Sequence, residues 1–157
     1  MKLNQIKDIF FDKDIETEIS KFVEITGEDE WRRKINALEA QKRNKKAICY
    51  TNYLISRNPY IELLNKFFLL RDQHKLILRN LDENILRLGA DVFVINKIYF
   101  CVNDNAQRKI KAALIDDSIK PFLFEMRIAA HYLTHGYEVE FVDLERTDAQ
   151  KITHDYF

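Results

Sequence analysis

Residues that interrupt helices are rare in this chain. Three glycines and two prolines are spread over 157 residues, while apolar side chains make up 46% of the composition. Helices are therefore seldom broken, and a chain of this length has enough apolar material for one well-packed core. The sequence predicts a mainly α-helical domain of several helices.

Apolar spacing and helix-terminal residues place the first helices. A helix is expected between Asp12 and Gly27, because apolar residues recur there at helical spacing. Those residues are Ile15, Ile19, Phe22 and Val23. A second helix is expected from Thr26 to about Ser56. Its candidate core residues are Trp31, Ile35, Leu38, Ile48, Tyr53 and Leu54.

In the middle of the chain, one new helix has a clear start and one segment has an ambiguous secondary structure. Asn58 can cap a helix whose first position is Pro59, where the missing N–H costs no hydrogen bond. Residues 91–102 are rich in β-branched and aromatic side chains, which suit either a buried strand or a buried helix. We predict a helix, because helices are expected on both sides and no hairpin signal adjoins the segment. Residues 103–105 then form a turn and a cap before a short helix.

The pattern is best defined near the end of the sequence. A helix is expected from residue 117 or 118, with Pro121 in its first turn, to Gly136 at its C-terminal end. Apolar residues cover most of its circumference, so we predict that it is buried all round. Alternation from Tyr137 onward indicates a half-buried strand, and a second strand begins after a charged turn. The expected fold is therefore mainly α with a small C-terminal β-hairpin or partial sheet (α+β).

The net charge is zero, but charge is distributed unevenly. Residues 1–30 contain four bases and nine acids (net −5). Residues 31–79 contain twelve bases and three acids (net +9), and residues 80–157 contain nine bases and thirteen acids (net −4). The densest basic stretch, residues 32–46, could contact phosphates. Its candidate nucleic-acid contacts are Arg32, Arg33, Lys42 and Arg43. The alternative is a solvated helix face that balances the acidic segment before it.

Three groups of side chains could carry chemistry. Glu125 lies among apolar residues, where an acid is costly unless it is used or paired with an arginine of another helix. His131 and His135 have a spacing that can bind zinc, although surface histidines explain the pair better. Four carboxylates near the predicted strands could bind a hard cation such as Mg²⁺, or be solvated charges around a hairpin. These four are Asp143, Glu145, Asp148 and Asp155.

Several classes of protein are disfavoured by what the sequence lacks. It has no phosphate-binding Gly-rich loop, nucleophile elbow, CxxC pair or dinucleotide fingerprint. No apolar run is long enough to span a bilayer, and no export-signal pattern is visible, so we expect a cytoplasmic protein without a membrane partner. Cys49 and Cys101 are then expected to be buried, reduced thiols.

The segment PFLFEMRIAAHYLTHGYEVEFVD, with HDYF shortly after it, resembles the start of the PD-(D/E)XK, or restriction-endonuclease-like, nuclease fold. In that family a buried helix bearing a glutamate leads through a Gly-(Tyr/His)-(Glu/Asp)-Val turn into the first core strand, and a second strand brings an aspartate to a divalent metal. The resemblance implies that Glu125 is the helix acid and that it contributes, with Asp155, to the catalytic metal site. It also implies that Asp155 binds Mg²⁺, which activates water for phosphodiester cleavage. The family's third strand, which carries its E-x-K pair, does not occur in residues 1–157.

These observations lead to one expectation about function and two alternatives. Residues 1–118 are expected to form a helical region and residues 119–157 the start of a nuclease-like core, with one single domain as the alternative. We expect a fragment or divergent member of a metal-dependent nuclease, inactive as given because the E-x-K strand is missing. A different class is a helical interaction or regulatory module that binds a protein partner or itself. The third reading is non-catalytic binding of DNA or RNA through residues 32–46.

Overall fold

The computed structural model describes residues 12–75, 83–116 and 118–141, which form seven α-helices and one short 3-10 helix. In chain order they are α1 (Asp12–Thr26), α2 (Glu28–Lys42), the 3-10 helix (Lys45–Ala47), α3 (Ile48–Arg57), α4 (Tyr60–Asp72), α5 (Glu83–Cys101), α6 (Asp104–Ile115) and α7 (Lys120–Thr134). The predicted mainly helical fold is confirmed. The described residues contain no strand: 137–141 lack regular secondary structure, and the rest of the predicted hairpin lies outside them.

Helix α5 is central and contacts α1, α4, α6 and α7. The helix predicted over residues 91–102 is confirmed as its C-terminal part. Gly89 lets α1 approach closely, because a Cβ built there would lie 3.0 Å from Cγ2 of Ile15. Asn96 fixes the same two helices, since its Nδ2 donates to the backbone oxygen and to Oε2 of Glu18, each at 2.9 Å. Helices α1 and α5 thus form a tightly packed pair.

Residues of α1, α2, α4, α5, α6 and α7 build one apolar core. The predicted core residues Trp31, Ile35 and Leu38 are buried, which confirms the inward face of α2. The indole Nε1 of Trp31 donates to Oγ1 of Thr26 at 2.6 Å, and that hydroxyl donates to the backbone oxygen of Phe22 at 2.7 Å. Each polar group in this part of the core therefore has a partner, as buried polar groups need.

The prediction of one helix from Thr26 to about Ser56 is wrong. Asn44 has extended backbone angles (φ −90°, ψ 103°), and its side chain accepts the backbone N–H of Lys46 at 3.1 Å. The Asn44 side chain thus provides a hydrogen-bond acceptor at the start of the 3-10 helix, and α2 ends before it. Asparagine side chains compete in this way with the backbone hydrogen bonds of a continuing helix. The chain turns at this point. Ile48 and Tyr53, which we predicted to be in the core, are exposed, whereas Leu54 is partly buried.

The junction between α3 and α4 is fixed by Asn58, which is completely buried. Its Oδ1 accepts the backbone N–H of Tyr60 at 3.2 Å, so the predicted cap is confirmed and the helix starts one residue after Pro59. Its Nδ2 donates to the backbone oxygen of Asp116 at 2.8 Å. One side chain therefore starts α4 and ties it to the end of α6.

Two helices end in the same six-residue capping motif. After α7, the N–H of Gly136 donates to the oxygen of Leu133 at 3.1 Å, and the N–H of Tyr137 donates to the oxygen of Tyr132 at 3.1 Å. The rings of Tyr132 and Tyr137 lie 5.7 Å apart, the apolar contact that accompanies a Schellman cap. Gly136 has φ +82°, which confirms its predicted role. At the end of α4 the equivalent position is His74, with φ +52°.

These two caps predict opposite effects of substitution. A residue with a side chain loses about 1–2 kcal/mol of stability when its backbone adopts the left-handed conformation. Glycine avoids that cost but loses about 0.5–1 kcal/mol more backbone entropy on folding, so the two effects partly cancel when one replaces the other. We expect Gly136→Ala to lower the free energy of unfolding by about 0.5–1 kcal/mol and His74→Gly to raise it by about as much. No atom lies within 4 Å of a Cβ built on Gly136, so the stability lost in Gly136→Ala comes from backbone conformation and not from a steric clash.

Urea denaturation followed by far-ultraviolet circular dichroism would measure both caps. The outcome that contradicts the argument is a shift of the same sign in the two variants. His74→Ala serves as the matched control, because it removes the imidazole without relieving the positive φ, and we expect it to behave like the unchanged protein.

Helix α7 is not buried all round, so that prediction is wrong. Its inward face consists of four buried residues, Phe122, Leu123, Met126 and Ala129. On the outward face Phe124 is 64% exposed and Ile128 is 42% exposed, and Tyr132 continues the row one turn further on. A helix covered by neighbours on one side buries only that side, whatever the composition of the other. The predicted burial of both cysteines is also wrong, although both are free thiols as expected.

Candidate nucleic-acid interface

Arg32, the first of the predicted nucleic-acid contacts, already forms ion pairs with two carboxylates. Its guanidinium lies 2.7 Å from Oε1 of Glu28, one turn earlier on α2, and 3.3 Å from Oδ2 of Asp72 on α4. Arg71 contacts the same glutamate at 2.7 Å. Hydrogen bonds from Arg71 and then from Arg32 lower the pKa of Glu28, so this carboxylate stays charged. Arg32 therefore serves to join α2 to α4.

Arg33 and Lys42 are also paired. Arg33 forms an ion pair with Glu30 on its own helix. The Nζ atom of Lys42 lies 2.8 Å from Oε1 of Glu62 on α4 and 3.1 Å from Oε1 of Glu39. The hydrogen bond to Glu62 is the main reason that the pKa of Lys42 is raised. Three of the four predicted basic residues thus balance nearby acids, as the solvated-face alternative anticipated.

Arg43 differs from the other three predicted contacts. It is exposed, and no carboxylate pairs with it in the part of the chain that the structure describes. Lys46 in the 3-10 helix is also exposed and Arg57 at the end of α3 is partly exposed, and neither pairs with a carboxylate within residues 12–75, 83–116 and 118–141. The sequence offers a reason, since residues 40–61 contain five bases and no acid. These bases are Lys42, Arg43, Lys45, Lys46 and Arg57.

Two tyrosines stand on the exposed side of α3, within this acid-free segment. Tyr50 is 56% exposed and Tyr53 is 50% exposed, and they lie three residues apart on one helix face. Their ring centroids are 6.5 Å apart and the ring planes are inclined by 29°. The Arg57 guanidinium lies over the Tyr53 ring at 5.4 Å, and Nη1 donates to its hydroxyl at 2.7 Å. The surface combines exposed aromatic rings with cations that have no carboxylate partner in the described part of the chain.

A cleft of about 290 Å³ separates α2 from α3 beside the first of these tyrosines. Tyr50 lines it together with Arg33 and Gln41. The other lining residues are Lys34, Ala37, Leu38, Leu54 and Ile61. The apolar members come from three helices, α2, α3 and α4, so the cleft exists only because the chain turns at Asn44. We call Arg43, Lys46, Tyr50, Tyr53, Arg57 and this cleft the α2–α3 surface.

Only one of the two acids implied by the nuclease resemblance, Glu125, lies within the described residues. Glu125 is exposed on α7, so its carboxylate bears no cost of burial there. Asp155 lies outside the described residues, as do Asp143, Glu145 and Asp148. No group of three potential metal ligands occurs in the described residues. The nuclease relationship and its Mg²⁺ site stay predictions.

The histidine pair is a surface feature. The rings of His131 and His135 lie 4.3 Å apart on the exposed side of α7. Nδ1 of His135 lies 2.7 Å from the backbone oxygen of His131, which points to a hydrogen bond donated by the ring. This contact stabilises the last turn of α7, in agreement with the sequence interpretation of the pair as surface histidines.

The polar cluster that joins α4, α5 and α7 was not anticipated from the sequence. Nη2 and Nε of Arg127 donate to the Asp91 carboxylate at 2.7 and 3.1 Å, and the Tyr60 hydroxyl donates to the same group at 3.3 Å. Burial, followed by the nearby carboxylate, raises the pKa of Tyr60 well above its ordinary value. All three side chains border a second cleft of about 560 Å³. Their mutual hydrogen bonds satisfy one another, which is typical of a structural cluster.

Comparison of this chain with known protein families, with curated proteins and with solved structures finds no match. None of the described helices is both long enough and apolar enough to cross a membrane. The function must therefore be argued from the surfaces themselves. Among them, the α2–α3 surface was only partly visible in the sequence: the basic run was apparent, while the exposure of Tyr50 and Tyr53 was not.

Proposed function

We propose that this protein binds single-stranded nucleic acid through the α2–α3 surface. The observation that carries the proposal is the pair of exposed tyrosines on α3, Tyr50 and Tyr53. Along the chain, Arg43 and Lys46 precede them and Arg57 follows them. Proteins that bind single strands combine positive charge for the backbone with aromatic rings for the bases. This is the third interpretation of the sequence, narrowed from residues 32–46 to the C-terminal end of that basic run and extended to α3.

The cations of this surface are suited to phosphates because acids do not compete for them. Arg32 and Lys42 each already contact two carboxylates, so a phosphate would have to replace existing ion pairs there. Arg43, Lys46 and Arg57 have no such pairs in the described part of the chain. Three phosphate contacts to a single strand correspond to a slope of roughly −2 in a plot of log affinity against log salt.

The tyrosines favour single strands over duplexes. The faces of the bases are covered by their neighbours in a duplex, whereas a single strand can turn individual bases onto a protein ring. Tyr50 and Tyr53 are each about half exposed and are held on a helix, which limits the entropy lost on binding. Base stacking on one such ring contributes about 1–3 kcal/mol.

The test is fluorescence anisotropy with a 5′-labelled twelve-nucleotide oligouridylate. We expect Tyr50→Ala and Tyr53→Ala each to weaken binding by roughly 5- to 150-fold, the equivalent of losing one stacked base. Replacing Arg43, Lys46 and Arg57 with alanine together is expected to remove most of the salt dependence. An unlabelled duplex is expected to compete poorly.

Two matched controls test whether binding depends on this surface or on any exposed cation or aromatic ring. Phe100→Ala removes a ring that is 66% exposed on α5, outside the acid-free segment, and Arg108→Ala removes an exposed cation on α6. Neither change is expected to alter affinity by more than about twofold, the ordinary range for a surface substitution. If the tyrosine variants bind as tightly as the unchanged protein, or if duplex competes equally well, the proposal is wrong.

The interaction-module alternative keeps one supporting observation, the exposed row on α7 formed by Phe124, Ile128 and Tyr132. Contiguous exposed apolar residues are typical of docking sites. The row offers a general apolar contact, which does not identify one partner. The alternative therefore stays a prediction, and the nucleic-acid proposal is preferred because charge and aromatic exposure coincide there.

A further inference from the structure

The cleft between α2 and α3 has the dimensions of a site for one small planar group. Its volume of about 290 Å³ is roughly ten times the ~30 Å³ that a water molecule occupies, and lies at the lower limit for ligand pockets. Apolar side chains from three helices line it, and the Tyr50 ring borders it. A nucleobase stacked on Tyr50 would enter such a space edge first.

One polar group in the lining of this cleft has no partner. Oε1 of Gln41 is buried and accepts no hydrogen bond from the described part of the chain. A buried acceptor left in this state is costly, and an unpaired one in a folded protein calls for an explanation. The terminal torsion of a glutamine side chain is broad, so its amide can turn toward a ligand in the cleft.

Resting on the proposed function, we propose that the cleft accepts one base of the bound strand and that Gln41 makes adenine the preferred base. Oε1 of Gln41 accepts a hydrogen bond from the exocyclic N6 amino group of adenine, and Nε2 donates to N7. This is the bidentate pairing that a glutamine amide forms with adenine, on an edge that an unpaired base leaves open. The unpartnered oxygen thereby gains a donor.

The other bases match this amide less well. Uracil and thymine present a carbonyl where adenine presents its amino group, and that carbonyl faces the glutamine oxygen without a proton between them. Guanine has a carbonyl at the same position. Cytosine has no N7 edge, and its amino group lies beside N3 on the Watson–Crick edge. On the edge that carries N7, adenine alone offers the donor and the acceptor that use both ends of the Gln41 side chain.

The experiment compares three labelled twelve-nucleotide RNAs by fluorescence anisotropy: all-uridine, uridine with two central adenines, and uridine with two central 7-deazaadenines, which lack N7. We expect the adenine strand to bind roughly 5- to 150-fold more tightly than the all-uridine strand, the range of one good bidentate pair. The 7-deaza strand should fall between them. In Gln41→Leu the three strands should bind within about twofold of one another.

The possible results separate this inference from the proposed function. Equal binding of the three strands by the unchanged protein, with Tyr50→Ala still weakening all of them, overturns the adenine preference and leaves single-strand binding intact. An adenine preference that persists in Gln41→Leu also overturns the assignment to Gln41. If none of the strands binds, both proposals fall. Leucine removes the buried acceptor and favours helix, so this variant should fold normally, which its thermal unfolding midpoint would verify.

Discussion

The Asn58→Ala variant is expected to lose about 2–4 kcal/mol of unfolding free energy, because it leaves the buried backbone N–H of Tyr60 and the partly buried backbone oxygen of Asp116 without their partner. Asn58 accepts from the N–H of Tyr60 and donates to the oxygen of Asp116, which is 58 positions away in sequence. Both bonds lie where α3, α4 and α6 meet. For a chain of this size that loss corresponds to a fall of about 5–15 °C in the thermal midpoint.

Differential scanning calorimetry would measure this loss directly. Asn52→Ala is the matched control: it makes the same change on the exposed side of α3 and should alter stability by no more than about 0.5 kcal/mol. An Asn58→Ala midpoint indistinguishable from that of Asn52→Ala would show that the junction is held by packing alone.

Thr26→Val is expected to cost about 1–3 kcal/mol, because valine keeps the shape of the side chain but leaves the Trp31 indole N–H unsatisfied in the core. Trp31 is fully buried, and Thr26 is 1% exposed, so water cannot replace the lost acceptor. Guanidinium denaturation followed by circular dichroism gives the free energy of unfolding without depending on the single tryptophan.

A double-mutant cycle makes this prediction specific. In a Trp31→Phe background there is no indole N–H to satisfy, so Thr26→Val should cost clearly less than it does in the unchanged protein. The difference between the two costs is the coupling between the side chains. Equal costs in both backgrounds would mean that the loss comes from the hydroxyl's bond to Phe22 or from packing, and not from the hydrogen bond to Trp31.

Local signals in the sequence were sufficient for most helix boundaries. Gly27 and Gly136 end helices, and Asn103 caps α6 by accepting the N–H of Ala106 at 2.9 Å. Each of these features depends on a few consecutive residues, which is why it can be predicted. The break at Asn44 is also a local feature, but the sequence did not predict it. Good helix formers on both sides hid one competing asparagine, whose cap prevailed because α3 packs against α2 and α4 after the turn.

The candidate site depended much more on tertiary structure. The basic run at residues 32–46 predicted phosphate contacts, yet its members divide into paired and unpaired groups only when α4 places Glu62 and Asp72 beside α2. Tyr53 was predicted to lie in the core, and Tyr50 was assigned neither to the core nor to the surface. An ion pair between helices requires the positions of both helices, and no spacing along one of them contains that information.

The sequence by itself determined that this chain is helical, where most of its helices begin and end, and that α2 turns Trp31, Ile35 and Leu38 inward. Those properties follow from backbone capping and from periodic apolar contacts, which act over one or two turns. Tertiary structure alone decided which side of α7 is exposed, which cations keep their charge available, and that Tyr50 borders a cleft with Gln41. Exposure and pairing depend on which elements pack together, and packing is a property of the whole chain.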